Sequence, residues 1–230
     1  MSADTPVSER IERKVRHGNH ENDLGVANQV VNEICGWVQH EGIPEERIGT
    51  IAIVLTEALV NAVRHGNILV VDGVRQTETD PDDGHVREVG DPQKQFRVAA
   101  LLASMRGALF LIVEIENEFH APFDPTQVPD PTEDETVERP NGRGVFWMRS
   151  FASHVEWNKG ENGEYKGNRV RLMFHHPSGG NVEQLEDACS VLDTLIGNAR
   201  WLLDVVIDEL KNDGSQPTSA EDVLTSPAWS

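Results

Sequence analysis

The chain has 230 residues and sets 39 Asp and Glu against 20 Lys and Arg, a formal net charge of −19. That balance argues against a nucleic-acid groove or an anionic membrane as partner, because both need clustered basic side chains. Apolar content of 38% and charged content of 26% fit a folded chain with one proper core plus appendages, rather than two full domains. No run of about 18 apolar residues stands out as a membrane span. The N-terminus, MSADTPVSERIERKVRHGNHEND, offers no apolar core for a signal peptide. Cys35 and Cys189 have no metal-ligand spacing and read as buried thiols, so a cytoplasmic location is expected.

Residues 1–22 read as a polar arm in which Ile11 to Val15 could add an edge strand. From Asp23, the spacing of Leu24, Ala27, Val30, Val31, Ile34 and Val38 predicts an amphipathic helix closed by Gly42. Ile48 to Asn67 then reads as one helix, apolar almost all round, with Pro44 and acids at its start and Gly66-Asn67 as its stop. At about 100° per residue, Thr50, Glu57, Asn61 and Arg64 form one narrow stripe with His65 beside it. A carboxylate and an amide one turn apart, flanked by Ile53, Val54 and Val60, are costly unless something polar lies in front of them. A narrow solvated face explains the same stripe.

Residues 68–95 read as a long irregular polar insertion. Phe96 to Leu102 and Ala108 to Glu116 predict a hairpin turning near Arg106-Gly107, its second strand buried on one face and acidic toward the end of the other. A Pro- and acid-rich surface loop, 118–141, leads to Gly142-Arg143-Gly144 and a short apolar helix, with Asn141 in N-cap position. His154 to Asn158 and Asn168 to His175 predict a last hairpin. The result is an α+β domain over 23–177, a two-layer sandwich of one mixed or antiparallel sheet covered on one face by helices. Beyond it, Leu185, Cys189, Leu192, Ile196, Ala199, Leu203, Val206 and Leu210 form a seven-residue seam in an expected helix, 178–211. That seam suits either a homodimer or packing on the domain. Residues 212–230 are expected to be a disordered tail.

Two phrases belong together: Glu57-x-x-x-Asn61-Ala62-x-x-His65-Gly66-Asn67, and Phe123-Asp124-Pro125, then Gly142-Arg143-Gly144 leading to Met148-Arg149 and Val155-Glu156. In that order they resemble the histidine-kinase-like ATPase superfamily, and within it the bacterial anti-sigma serine kinases. The resemblance implies an ATP-dependent serine/threonine protein kinase regulating transcription, with a sigma factor and an anti-sigma-antagonist protein as partners. It implies ATP and Mg as cofactors, Asn61 holding the cation through its side-chain oxygen and Glu57 acting as general base. His65, Gly66, Asn117, Gly142, Arg143 and Gly144 would complete the nucleotide site, and residues 118–141 its lid.

One departure stands out. The family places Asp-x-Gly-x-Gly before the Phe-Asp-Pro phrase, whereas this chain reads Asn117-Glu118-Phe119-His120-Ala121-Pro122. Counting back from Phe123 puts Glu118 in the Asp position; strand alternation puts Asn117 there, and alternation is the physical constraint. The altered motif leaves a second expectation open, a catalytically degenerate module of the same fold that regulates by protein contacts. A third is the ATPase domain of a split sensor histidine kinase.

Overall fold

A computed structural model describes residues 12–79, 81, 84–105, 108–118, 123–128, 143–159 and 163–177. In chain order the elements are β1 (Glu12–Glu21), α1 (Leu24–His40), α2 (Glu45–Val60), β2 (Val70–Val71), β3 (Val74–Arg75), β4 (Thr77–Thr79), β5 (Val86–Glu88), β6 (Gln95–Met105), β7 (Ala108–Asn117), α3 (Arg143–Phe151), β8 (His154–Lys159) and β9 (Tyr165–Pro177). Five strands form one antiparallel sheet in the order β1-β6-β7-β9-β8. The edge strand β1 begins at Glu12, so the sheet reaches back into the expected arm.

The helices form where their caps and periodicity dictate. Asp23 caps α1 by accepting from the Val26 N–H at 3.0 Å. Pro44 precedes α2, with Glu45 and Glu46 complementing its N-terminal dipole. One face of the sheet, including Val98 and Leu102 of β6, Leu111, Val113 and Ile115 of β7 and Leu172 of β9, shares a core with all three helices. Buried there, Cys35 has its thiol pushed up to about 11 by desolvation.

Several expectations change. The central helix is not uniform: α2 passes at Asn61 into a π turn, Asn61–Gly66. Taken together, Glu45–Gly66 is long and apolar enough to cross a membrane by length and composition, because such a span tolerates a few charges. Of its apolar residues, Ile51, Val54, Leu55, Ala58 and Leu59 are buried in the shared cluster, whereas Ile53 is exposed.

The insertion is not irregular. Asp72 and Gly73, both at positive φ, make a two-residue turn joining β2 to β3, and β4 pairs with β5. Hydrogen bonds from Leu69 N to Val89 O, Gln76 N to Leu69 O and Val89 N to Gln76 O tie the two hairpins together at their base. The acidic end of β7 is not a solvated face either. Glu114 and Glu116 are buried and paired with Arg97, Arg169 and Arg171. Most of the expected lid, Asn141, Gly142, Cys189, the expected helix at 178–211 and the expected tail at 212–230 lie outside the described residues.

Candidate nucleotide site

The site is built where α3 begins against the middle of the central helix. Glu57 and Asn61 lie one turn apart and half-buried, at the point where α-helix gives way to the π turn. A π turn widens the helix by one residue and is frequent at functional positions. Burial among neighbouring apolar groups pushes the Glu57 carboxyl above its ordinary value.

Gly144, in the first turn of α3, faces this pair directly. A Cβ on it would fall 2.7 Å from Glu57 Oε2 and 3.4 Å from Asn61 Nδ2. Only a residue without a side chain lets the backbone sit this close. Arg143 opens the same helix and is exposed. The free N–H groups of a helix start and a neighbouring guanidinium suit a polyphosphate.

The other end of the site lies where β7 stops. Asn117 ends that strand, and its side chain lies on Gly66, whose hypothetical Cβ would come 1.9 Å from Asn117 Nδ2. Glu118 is exposed; its backbone N–H donates to Asn67 Oδ1 at 3.0 Å and its carboxylate accepts from Gln95 N at 3.2 Å. The geometry therefore sets the Asn117 side chain on Gly66, while Glu118 meets the helix end through its backbone N–H alone.

Three features were not anticipated. Asn67, expected as part of a helix stop and as the last residue of the first motif phrase, is fully buried and braces the site. Its Nδ2 donates to Asn22 Oδ1 at 3.1 Å and to Gln95 O at 2.8 Å. Asn22 in turn donates to the carbonyls of Val63, Asn67 and Asp91. The second feature is a latch on His65, which is exposed rather than turned into the site. Its Nδ1 lies 2.8 Å from Glu88 Oε2, while Arg75 Nη1 donates to Glu88 Oε1 at 3.0 Å. Partial burial raises the Glu88 carboxyl, but the hydrogen bonds from His65 and Arg75 bring it below its ordinary value. The third is Arg149, whose Nη2 donates to Pro125 O at 3.0 Å while its guanidinium stacks over Trp157. It ties the short 3-10 turn Pro125–Gln127 to α3. Only the Asp72-Gly73 pair, flanked by valines, signalled the insertion's first hairpin in the sequence; buried amide braces carry no comparable signature.

Among the described residues, no group of three or more His, Cys, Asp or Glu side chains is placed to hold a metal. Magnesium does not need one. It is commonly held by one or two protein oxygens together with substrate phosphates, and the Asn61 side-chain oxygen is a candidate for one of them. The residues present are compatible with Mg-ATP: a backbone cradle without a side chain, an amide and a carboxylate converge. A small recess lined by Arg47, Thr50, Phe151, Ser153, His175 and His176 lies toward the start of α2, apart from these residues.

The model of the histidine kinase-like ATPase domain matches residues 20–174. No curated protein matches the chain. Domains of this kind are kinase-like regulatory ATPase domains and generally bind ATP with Mg. With two thirds of its length matched and the antiparallel sheet and three helices expected of that fold, the chain belongs to the histidine kinase-like ATPase family.

Proposed function

We propose that this protein is an anti-sigma-type regulator, a cytoplasmic ATP-dependent serine/threonine protein kinase. In this reading it holds a sigma factor and phosphorylates a small antagonist protein. The supporting observation is the convergence of Glu57, Asn61 and Gly144 at the start of α3. Asn61 would hold Mg through its side-chain oxygen, and Gly144 would let backbone amides approach the phosphates, with Arg143 adding charge. Bound ATP supplies the phosphoryl group. Glu57 would accept the proton of the attacking hydroxyl, and its raised pKa moves it toward the range where a carboxylate is an effective base.

Calorimetric titration of Mg-ATP into wild type and Asn61→Ala tests the site, with binding expected only in the wild type. Phosphate transfer to a serine-bearing antagonist protein tests the activity. Transfer by the wild type that falls by about 100-fold or more in Glu57→Gln is expected. No transfer to any such protein at millimolar Mg-ATP would overturn the kinase reading.

A second reading is favoured by the base end of the site. Asn117 stands where the family has Asp, and the glycine positions that follow it are Phe119 and Ala121. A module that regulates by protein contacts alone would show no Mg-ATP binding in the wild type.

A further inference from the structure

The sheet has two faces, and the helices occupy one. β7 gives Leu111, Val113 and Ile115 to the core shared with the helices, so Phe110, Ile112, Glu114 and Glu116 point the other way. The middle of this second face is dry, while Arg97 and His154 at its margins are exposed. Phe110 is 0% exposed, Ile112 4% and Glu114 0%, and Ala99 and Met173 beside them are buried too. An antiparallel sheet covered on one side only leaves its other face to water.

Nothing among the described residues accounts for the cover. The three helices pack into a cluster that leaves out Phe110, Ile112, Ala99 and Met173. The insertion strands β2, β3 and β4 are themselves exposed. Residues 1–11 carry only Met1, Val7 and Ile11 as large apolar side chains, too few to shield a sheet.

The other chain end has both the composition and the position. Its seam, Leu185, Cys189, Leu192, Ile196, Ala199, Leu203, Val206 and Leu210, offers one apolar stripe. Pro177 pairs with Ala108, so the chain leaves the sheet beside Phe110, at the apolar end of the second face. The 26 residues from Leu185 to Leu210 would reach about 39 Å as a helix, longer than the roughly 34 Å of a ten-residue strand.

We propose that residues 185–210 of the same chain cover the sheet's second face, laying the Leu185–Leu210 seam along Phe110, Ile112 and Met173. The domain is then three-layered. The charged half of the face tolerates a cover because its charges are already paired. Arg171 Nε donates to Glu114 Oε2 at 3.1 Å, and Glu116 takes Arg97 at 2.7 Å and Arg169 at 2.9 Å. Occupation by the same chain also removes the seam as a dimer contact, which suits chains that each carry −19.

Cys189 lies on the seam and reports on it in the full-length protein. Its maleimide labelling rate can be read by peptide mass spectrometry, with molar mass followed by light scattering across a wide concentration range. The expected result is a monomer in which Cys189 labels roughly 100-fold slower than in urea, at a rate independent of concentration. Leu203→Ala on the seam and Ile112→Ala on the sheet should each speed labelling several-fold with the mass unchanged. Protection that disappears as a dimer dissociates on dilution would place the seam between two copies and overturn the proposal. So would a monomer whose Cys189 labels as fast as in urea, or an Ile112→Ala rate equal to the wild type.

Discussion

A methyl group on Gly144 would stand 2.7 Å from Oε2 of Glu57. The start of α3 is thus seated on the carboxylate that the central helix presents. Gly144→Ala should push the Glu57 side chain aside at a small cost in stability, below about 1 kcal/mol, because the obstructing atom is the far end of a flexible chain. Mg-ATP affinity should fall at least tenfold by calorimetry, since the displaced carboxylate and the added methyl would occupy the proposed phosphate cradle. Gly36→Ala is the control. It lies on the exposed side of α1 with nothing within 4 Å, and should stabilise the fold by roughly 0.5–1 kcal/mol without altering binding.

Gly66 is less forgiving. A Cβ there would lie 1.9 Å from Asn117 Nδ2, 2.5 Å from its Cγ and 3.1 Å from its Cβ, so the side chain and the end of β7 must both move. Gly66→Ala should cost about 1–3 kcal/mol in urea unfolding. In the Asn117→Ala background only the Cβ contact remains, and the cost should fall by at least half. Equal costs in the two backgrounds would mean that Asn117 does not set the constraint.

Most of this was legible in the sequence, and the exceptions share a cause. The buried helix with Glu57 and Asn61 one turn apart, the two long hairpins and the α3 start all follow from period and punctuation. Periodicity records which side of an element is apolar, and little else. It could not show that Asn61 opens a π turn, because the apolar period does not record helix type. Nor could it show that Glu114 and Glu116 are buried. An alternating strand with acids on one side reads as half-solvated, and only the arginines facing them across the sheet reverse that reading.

Glu57 should also govern a pH dependence. Its folded-state pKa is raised above the ordinary 4.5 by burial, so ionisation costs the native state more than the unfolded one. That penalty is absent below the unfolded value, develops as pH rises above 4.5, and is complete above the folded value. Glu57→Gln should therefore be more stable than the wild type near neutral pH. The two should converge in acid, as measured by thermal unfolding across a pH series. A gap that widens toward low pH would contradict the assignment.

Asn67 is a stability prediction with a positional readout. Fully buried, it donates to Asn22 and Gln95 O and accepts from the Glu118 N–H. Asn67→Ala strands these groups and should cost about 2–4 kcal/mol. Asn67→Asp keeps the acceptor for Glu118 but loses both donated bonds and adds an ionisable group in a buried position, so it should not rescue. A cost below about 1 kcal/mol in both variants would mean that water replaces the brace.

Glu88 decides whether the insertion is fastened to the central helix. The carboxylate takes His65 at 2.8 Å and Arg75 at 3.0 Å, linking β5 to the π turn and to β3. Because its folded pKa lies below 4.5, its contribution to stability is present above that value and is lost as pH falls through the folded value. The pairs are substantially exposed, so the global effect of Glu88→Gln should stay within about 1 kcal/mol. The local effect should be larger: backbone amides of 86–90 should exchange with solvent several-fold faster in the variant, while those of β6 and β7 hold their rates. In the wild type, the same acceleration should set in only below pH 4.5. If exchange in 86–90 is unchanged by the substitution, the hydrogen bond from Asp91 N to Asn67 O is sufficient to hold the insertion, and the latch on His65 adds nothing to its docking.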